Sequence, residues 1–180
     1  MKIYIMRHGE TAWNAANRVL GRTDMPLNEK GREQAARAAE EMKAIPFDVI
    51  YTSCLSRSME TGLAVAALQE GCPVIHEPCL NEHDFGDFEG QDRLSEEYQS
   101  EKRKCFTKYP GGESFLDVAA RVYPFIKGIL SDPGMQDKTI LISSHGGICR
   151  VISSYFRDME NEEFISFAMH NCEYRLIYED

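Results

Sequence analysis

Short apolar runs alternate along this chain with longer amphipathic stretches, and most runs end at polar or glycine residues. The first run, residues 2–6, breaks into Arg7-His8-Gly9, which predicts a buried strand that leads into a turn. Four further runs have the same character and predict strands over residues 47–53, 74–76, 138–144 and 173–178.

The stretches between these runs have the apolar spacing of helices. Asn28 is a candidate N-cap for a helix that runs to about Ala44, before Pro46. Ser114 is a candidate N-cap for a second helix, which Pro124 should kink. Two more helices are predicted, over residues 55–68 and after 146–147. The residues expected to face inward are Ala35, Ala38, Met42 and Ile45 in the first helix and Phe115, Val118, Val122, Phe125 and Ile129 in the second.

Residues 80–110 carry no clear period. Residues 80–90 are rich in acids and glycine and predict a loop, and the charged residues 91–110 predict an exposed excursion over the sheet edge. Alternation of strands and helices elsewhere predicts the α/β class, a three-layer α/β/α sandwich whose mostly parallel sheet has helices on both faces. No linker or repeat interrupts the chain, so we expect residues 1–180 to form a single domain.

Composition narrows the possible functions. A net charge of -9 and a pI near 5.1 argue against a general surface for nucleic acid or anionic membranes. The first strand follows Met1 directly, so we expect no signal peptide, and no apolar run has the length of a membrane span. The six cysteines form no C-x-x-C pair, so we expect reduced thiols and a cytoplasmic protein. The oligomeric state stays open.

Two predicted strands end in histidine followed by glycine, at His8 and His145. Parallel strands open at the same edge of a sheet, so these two imidazoles can converge there. Arg7 and Arg57 are expected at that edge, and the two glycines after His145 begin a helix whose N-terminal amides can bind an anion. Arginine bonds phosphate oxygens with two parallel donors, so the pattern predicts a phosphate pocket.

The residues around His8 read Met-Arg-His-Gly-Glu-Thr-x-x-Asn and resemble the signature of the histidine phosphatase superfamily, which includes cofactor-dependent phosphoglycerate mutases. Further matches follow in the family's order through residues 27–31, 56–61, 80–82, 85–90, 110–114 and 144–147. The resemblance therefore spans nearly the whole chain.

The resemblance implies phosphoryl transfer without a metal or cofactor, in which His8 attacks phosphorus and becomes a phosphohistidine. Arg7, Arg57 and His145 are expected to hold the phosphoryl oxygens and to stabilise the transition state. Glu82 matches the family's general acid, which protonates the leaving oxygen and then activates water. The further substrate contacts implied are Asn14, Gly21 and Gly146.

Each of these residues also has an ordinary structural explanation. His8 could be a core histidine, Arg57 a surface charge, and Glu82 one acid of a solvated loop. The spacing of His76, Cys79, Glu82 and His83 fits no standard zinc pattern, so we expect no metal.

The basic residues 102–104 and Lys108 fit two interpretations. They could form a solvated face, or they could contact the non-phosphate part of a substrate, since family members vary in this segment.

A small phosphorylated metabolite is the expected substrate, and hydrolysis the expected reaction. A mutase must keep water away from its phosphohistidine, which usually takes a longer insertion after the Glu82 region and a C-terminal tail than this chain has. Mutases resembling this pattern also carry a hydroxyl residue at the position of Leu20, before Gly21. Both differences favour access of water to the phosphohistidine, and therefore hydrolysis. The alternatives are a cofactor-dependent phosphoglycerate mutase and a non-catalytic phospho-ligand binder. The chain is similar both to α-ribazole phosphatase and to broad-specificity phosphatases, so the substrate's identity stays open.

Overall fold

The computed structural model describes residues 1–180 and contains one sheet of five strands. The strands are β1 (Lys2–Arg7), β2 (Val49–Thr52), β3 (Val74–His76), β4 (Thr139–Ser144) and β5 (Tyr174–Glu179). Their order is β3-β2-β4-β1-β5, and β5 alone is antiparallel to its neighbour. The helices are α1 (Ala12–Ala15), α2 (Glu29–Met42), α3 (Ser56–Ala66), α4 (Glu96–Lys102), α5 (Phe115–Ser131), α6 (Gly146–Phe156) and α7 (Asn161–Ser166). The mostly parallel sheet that the apolar runs predicted is confirmed.

Successive residues of the central strands point to opposite faces of the sheet, and each face has its own core. Ile5 and Ile142 belong to a core shared with α5 and α6. Met6, Leu141 and Ile50 belong to a second core shared with α2 and α3. Helices therefore cover both faces, which confirms the predicted three-layer sandwich.

The structure confirms both predicted N-cap residues, Asn28 and Ser114. The Asn28 side chain accepts a hydrogen bond from the Gly31 amide at 2.7 Å, and Ser114 forms a reciprocal capping box with Asp117. These bonds satisfy amides that a helix start leaves unpaired, so both helices begin where the sequence indicated.

Helix α5 continues through Pro124, whose missing N–H frees the carbonyl of Ala120; both residues face solvent, where water can bond that carbonyl. One detail of α5 differs from expectation. Ile126, rather than Phe125, is buried on the inward stripe. Phe125 lies beside the stripe, half-buried, with its ring edge-on to Tyr51 at 5.2 Å between centroids.

The prediction of an exposed excursion over residues 91–110 was wrong in part. This segment contains α4, and its Tyr98 and Tyr109 are buried in a small cluster with Val19. These rings hold the segment down onto the molecule, although most of its other side chains are exposed. The short helices α1 and α7 were not predicted.

None of the helices is both long and apolar enough to span a membrane. All six cysteines are free thiols.

Candidate active site

The pairing of β1 with β4 brings the two predicted histidines together. Arg7 at the end of β1 lies opposite Ser144 at the end of β4, so the next residues, His8 and His145, are neighbours. The His8 amide donates to the Ser144 carbonyl at 2.9 Å, and the two imidazole centroids are 5.1 Å apart. The predicted convergence at the carboxyl edge of the sheet is therefore observed.

The His8 ring is fixed with one nitrogen free. Its Nδ1 lies 2.7 Å from the carbonyl oxygen of Gly9, and because a carbonyl only accepts, Nδ1 carries the proton. Nε2 then has a lone pair and makes no hydrogen bond within the protein, while His8 lines a cavity of about 130 Å³. Burial, with the positive charges of Arg57 and Arg7, holds the pKa of His8 well below 6.5. The imidazole is therefore neutral and nucleophilic at physiological pH.

His145 and Arg57 lie immediately behind His8 and are fully buried. The Nε of Arg57 donates to Nδ1 of His145 at 3.2 Å, so in the neutral ring Nε2 carries the proton and donates to Ser53 Oγ at 2.8 Å. Burial and the charge of Arg57 keep the pKa of His145 well below 6.5. Arg57 thus orients the second imidazole as well as contributing positive charge.

Arg7 approaches the cavity from the end of β1. One terminal nitrogen donates to the Met169 carbonyl at 2.7 Å, while the buried Nε has no partner. Burial is the main cause that lowers the pKa of Arg7, and no carboxylate pairs with it. An anion bound in the cavity would supply the hydrogen bonds and the counter-charge that this guanidinium lacks in the protein alone.

Asn14 and Gly146 also line this cavity. The Asn14 side-chain oxygen accepts from the Thr11 amide at 3.2 Å, which leaves its Nδ2 group without a partner in the protein. Gly146 is the first residue of α6, and its amide is among those that a helix leaves unpaired. Both residues therefore offer free donors where the sequence predicted substrate contacts.

Glu82 reaches the same cavity from the loop after β3 and is 6% exposed. Its two carboxylate oxygens accept from the amides of His83 at 2.9 Å and Gly147 at 3.2 Å. Arg121 holds the Glu82 backbone through a bond to its carbonyl at 3.2 Å. Glu82 is thus a fixed acid at the cavity and not part of a solvated loop. No group of three or more His, Cys, Asp and Glu side chains is arranged to hold a metal.

Gly21 lies outside the cavity lining. Its carbonyl accepts from Arg57 at 2.6 Å, so it positions an arginine from behind. A Cβ at this residue would lie 2.4 Å from Glu89 Oε1 and 2.5 Å from the His83 carbonyl oxygen. Close packing, rather than an approach to phosphate, therefore explains glycine here.

Sequence reasoning missed most of the cavity's far wall. Arg93, Lys102 and Arg150 supply further positive charge there. The aromatic lining comes from Phe85, Tyr98, Tyr109, Phe115 and Phe167. Arg150 gave no signal, because one cation in a helix that follows a strand has the pattern of an ordinary surface residue.

The basic run predicted around Lys102 divides between the two interpretations. Lys102 lines the cavity. Arg103, Lys104 and Lys108 point elsewhere, and each pairs with a carboxylate outside the cavity, on Glu162, Glu101 and Asp117 respectively.

A family model, "Histidine phosphatase superfamily (branch 1)", matches residues 3–179. A 2,3-bisphosphoglycerate-dependent phosphoglycerate mutase of Bartonella quintana is 31% identical over 91% of this chain and 85% of that protein. A probable phosphoglycerate mutase, GpmB, of Cronobacter sakazakii is 38% identical over 81% of this chain and 70% of that protein.

Solved structures give a different emphasis. A mycobacterial glucosyl-3-phosphoglycerate phosphatase in complex with VO3 superposes with a TM-score of 0.84 at 28% identity, over 96% of this chain and 90% of that one. A putative alpha-ribazole-5'-P phosphatase of Escherichia coli, at 24% identity and a TM-score of 0.80, covers 99% of this chain and 96% of that one and shows the shared fold alone.

Proposed function

This chain belongs to the histidine phosphatase superfamily, and we propose on that premise that it hydrolyses phosphomonoesters of small metabolites through a phosphohistidine at His8. The observation that carries the proposal is the His8 ring, neutral, fixed through Nδ1, and open to the cavity through an unpartnered Nε2. A nucleophile in this state needs no base to activate it.

In the first step, Nε2 of His8 attacks phosphorus and the bond from phosphorus to the ester oxygen breaks. Arg7 and Arg57 compensate the charge on the phosphoryl oxygens, with the free donors of Asn14 and the Gly146 amide beside them. Glu82, protonated for this step, gives its proton to the departing oxygen, so that a neutral alcohol leaves.

In the second step, the Glu82 carboxylate takes a proton from water as the water oxygen attacks phosphorus. The bond between phosphorus and Nε2 breaks, phosphate leaves, and His8 and protonated Glu82 are restored. One carboxyl group therefore serves both halves of the reaction, and no metal or cofactor takes part in the proposal.

The test is release of phosphate from p-nitrophenyl phosphate with EDTA present, for the wild type and for His8→Ala. We expect chelator-resistant turnover that His8→Ala abolishes. His170→Ala is the matched control, because this histidine is exposed, and it should keep its activity. Turnover by a folded His8→Ala protein would contradict the proposed nucleophile.

Phosphoglycerate mutase activity is the second candidate, favoured by the names of the sequence relatives. It predicts interconversion of 3-phosphoglycerate and 2-phosphoglycerate once a bisphosphate primer is added, with little free phosphate. A mutase exchanges the phosphoryl group faster than water attacks it, so the ratio of isomerisation to phosphate release decides between the two activities.

A further inference from the structure

The general acid of the proposed reaction lies in a segment that has no regular structure of its own. Glu82 follows β3 and a single turn of 3-10 helix, Pro78–Leu80, and residues 81–85 belong to no helix or strand. Proton transfer requires the carboxyl group to lie within hydrogen-bond reach of the leaving oxygen. This segment must therefore be fixed by contacts with other parts of the chain.

Arg121 contacts the backbone of this segment at two points. Its guanidinium donates to the Cys79 carbonyl and to the Glu82 carbonyl, the second at 3.2 Å. Arg121 projects from α5, which packs on the sheet through Val118 and Val122. A packed helix is thereby connected to the stretch of backbone that carries the general acid.

The Arg121 guanidinium is in turn fixed by Glu113, which lies two residues before α5. Nε and Nη2 of Arg121 donate to the two oxygens of the Glu113 carboxylate, each at 3.0 Å. The same carboxylate accepts from the Asp84 amide at 3.1 Å, and the Glu113 carbonyl accepts from Nε2 of His83 at 2.8 Å. Burial opposes ionisation, but the hydrogen bonds from Arg121 and from the Asp84 amide outweigh it and lower the pKa of Glu113. Glu113 is therefore an ionised carboxylate that binds Arg121 and the residues directly after Glu82.

Glu113 also contacts the loop behind the nucleophile. Its Oε1 accepts from Nη2 of Arg22 at 3.2 Å. Arg22 lies in the loop of residues 21–23, whose carbonyls accept from Arg57 at 2.6 and 2.9 Å. The Glu113 side chain is 20% exposed and does not line the cavity. It can therefore influence the reaction only through the groups that it holds.

We infer that Glu113 is a positioning residue for the general acid: it fixes Arg121, and Arg121 fixes the segment that carries Glu82. This inference rests on the proposed function, in which Glu82 protonates the leaving oxygen. Without the Glu113 carboxylate, Arg121 loses the partner that orients it, and the two carbonyls lose a fixed donor. The Glu82 carboxyl group is then displaced from the leaving oxygen. The nucleophile stays in place, because β4 holds the His8 backbone and the Gly9 carbonyl holds its ring.

The dependence of the rate on the leaving group tests this inference. p-Nitrophenol is a much stronger acid than phenol, so p-nitrophenyl phosphate needs a general acid less than phenyl phosphate does. The ratio of their kcat/KM values should therefore rise in Glu82→Gln. In Glu113→Gln it should rise by about 10- to 100-fold, the cost of displacing a catalytic group by about 1 Å. In the double variant the ratio should equal that of Glu82→Gln alone, because Glu113 affects the ratio only through Glu82.

Two further variants keep the test decisive. Arg121→Lys keeps the charge, but an ammonium lacks the planar fork that binds a carboxylate and two carbonyls together, so it should raise the same ratio whether or not Glu113→Gln folds. Asp48→Asn is the matched control, because Asp48 accepts from Lys138 and from a backbone amide, each at 2.8 Å, but lies before β2, at the other end of the sheet. It should leave the ratio unchanged. Equal slowing of both esters in Glu113→Gln and Arg121→Lys would overturn the inference, as would a double variant whose ratio exceeds that of Glu82→Gln.

Amide hydrogen exchange, followed by NMR, separates this inference from the proposed function because it needs no turnover. The Gly147 amide in the first turn of α6 donates to Glu82 Oε2 at 3.2 Å, so its protection reports where the carboxylate lies. In Glu113→Gln its exchange should become about tenfold faster, the value of one hydrogen bond. The Cys149 amide, which donates to the His145 carbonyl at 2.8 Å in the same helix, should exchange as before.

The two measurements fail separately. If neither ester is hydrolysed, or if Glu82→Gln leaves their ratio unchanged, the proposed function fails in its general acid. Faster exchange at Gly147 in Glu113→Gln still supports the positioning of Glu82 in that case, and unchanged exchange overturns it. If the ratio depends on Glu82 but Glu113→Gln alters neither the ratio nor the exchange, the inference fails while the phosphatase stands.

Discussion

Acidification from about pH 7.5 to about pH 5.5 should destabilise the phosphate-free protein through its buried histidines. Burial and nearby arginines hold the pKa of His8 and the pKa of His145 well below 6.5 in the folded state. The unfolded chain binds protons on these rings near pH 6.5, whereas the folded chain does not. Because the unfolded state then holds more protons, the free energy of unfolding falls as the pH falls through this window.

The magnitude follows from the same linkage. Each histidine that stays neutral in the folded protein across this interval removes up to about 1.4 kcal/mol of stabilisation, so His8 and His145 together account for at most about 2.7 kcal/mol. Burial also lowers the pKa of His83, which adds part of a third contribution in the same direction. This sum is a large share of the roughly 5–15 kcal/mol that stabilises an ordinary domain.

Urea denaturation at three pH values gives the free energy of unfolding directly. The informative comparison is the wild type against His8→Gln, which should lose up to about 1.4 kcal/mol of the pH dependence, with His170→Gln as the exposed control. The comparison also cancels the opposite effect of net charge, since acidification toward the pI near 5.1 reduces self-repulsion equally in each protein. An unchanged pH dependence in His8→Gln would refute the idea that His8 is buried and neutral.

Two further predictions concern Glu82, the proposed general acid, and the contact between α2 and the segment after His8. Glu82→Gln should slow the hydrolysis of phosphomonoesters with poor leaving groups far more than those with good ones, as measured by kcat across a series of leaving groups. Gly31→Ala should destabilise the fold by about 2 kcal/mol or more in urea denaturation, because its Cβ would lie 2.1 Å from the Glu10 carbonyl oxygen. Gly128→Ala, where nothing lies within 4 Å, should be neutral or stabilise the helix by up to about 1 kcal/mol.

These two predictions fail in recognisable ways. Equal slowing of all leaving groups in Glu82→Gln would indicate that Glu82 positions the substrate and does not donate the proton. Equal stability of Gly31→Ala and Gly128→Ala would mean that the contact between α2 and the segment after His8 can relax without cost.

Local patterns predicted most of the fold because each local choice agrees with the global one. Asn28 caps α2 through a hydrogen bond to Gly31, which is only three residues away in the sequence. The apolar runs of β1 and β4 likewise identify buried strands without knowledge of which strands pair with them. What failed depended on distant contacts. Residues 91–110 look solvated by composition, yet Tyr98 and Tyr109 are buried with Val19, a residue far earlier in the chain.

The same distinction explains which site residues the sequence could identify. His8 and His145 converge because parallel strands share an edge, a rule that needs no coordinates. Arg150 needs coordinates, because only the packing of Phe115 and Phe164 around it distinguishes it from a solvated arginine. A buried cation of this kind can be recognised only from coordinates, which show that it is buried and that no carboxylate pairs with it.

The distribution of charge also bears on how the substrate is drawn in. The net charge of -9 repels anions, but at physiological ionic strength this repulsion is largely screened beyond a Debye length of about 8 Å. The attraction of an anion therefore depends on the cations that lie within that distance of it. Arg7 and Arg150 are under-compensated within that range, while most of the other cations are paired with carboxylates. The unpaired arginines that line the cavity therefore set the local attraction for an anion, and this attraction should weaken as the salt concentration rises.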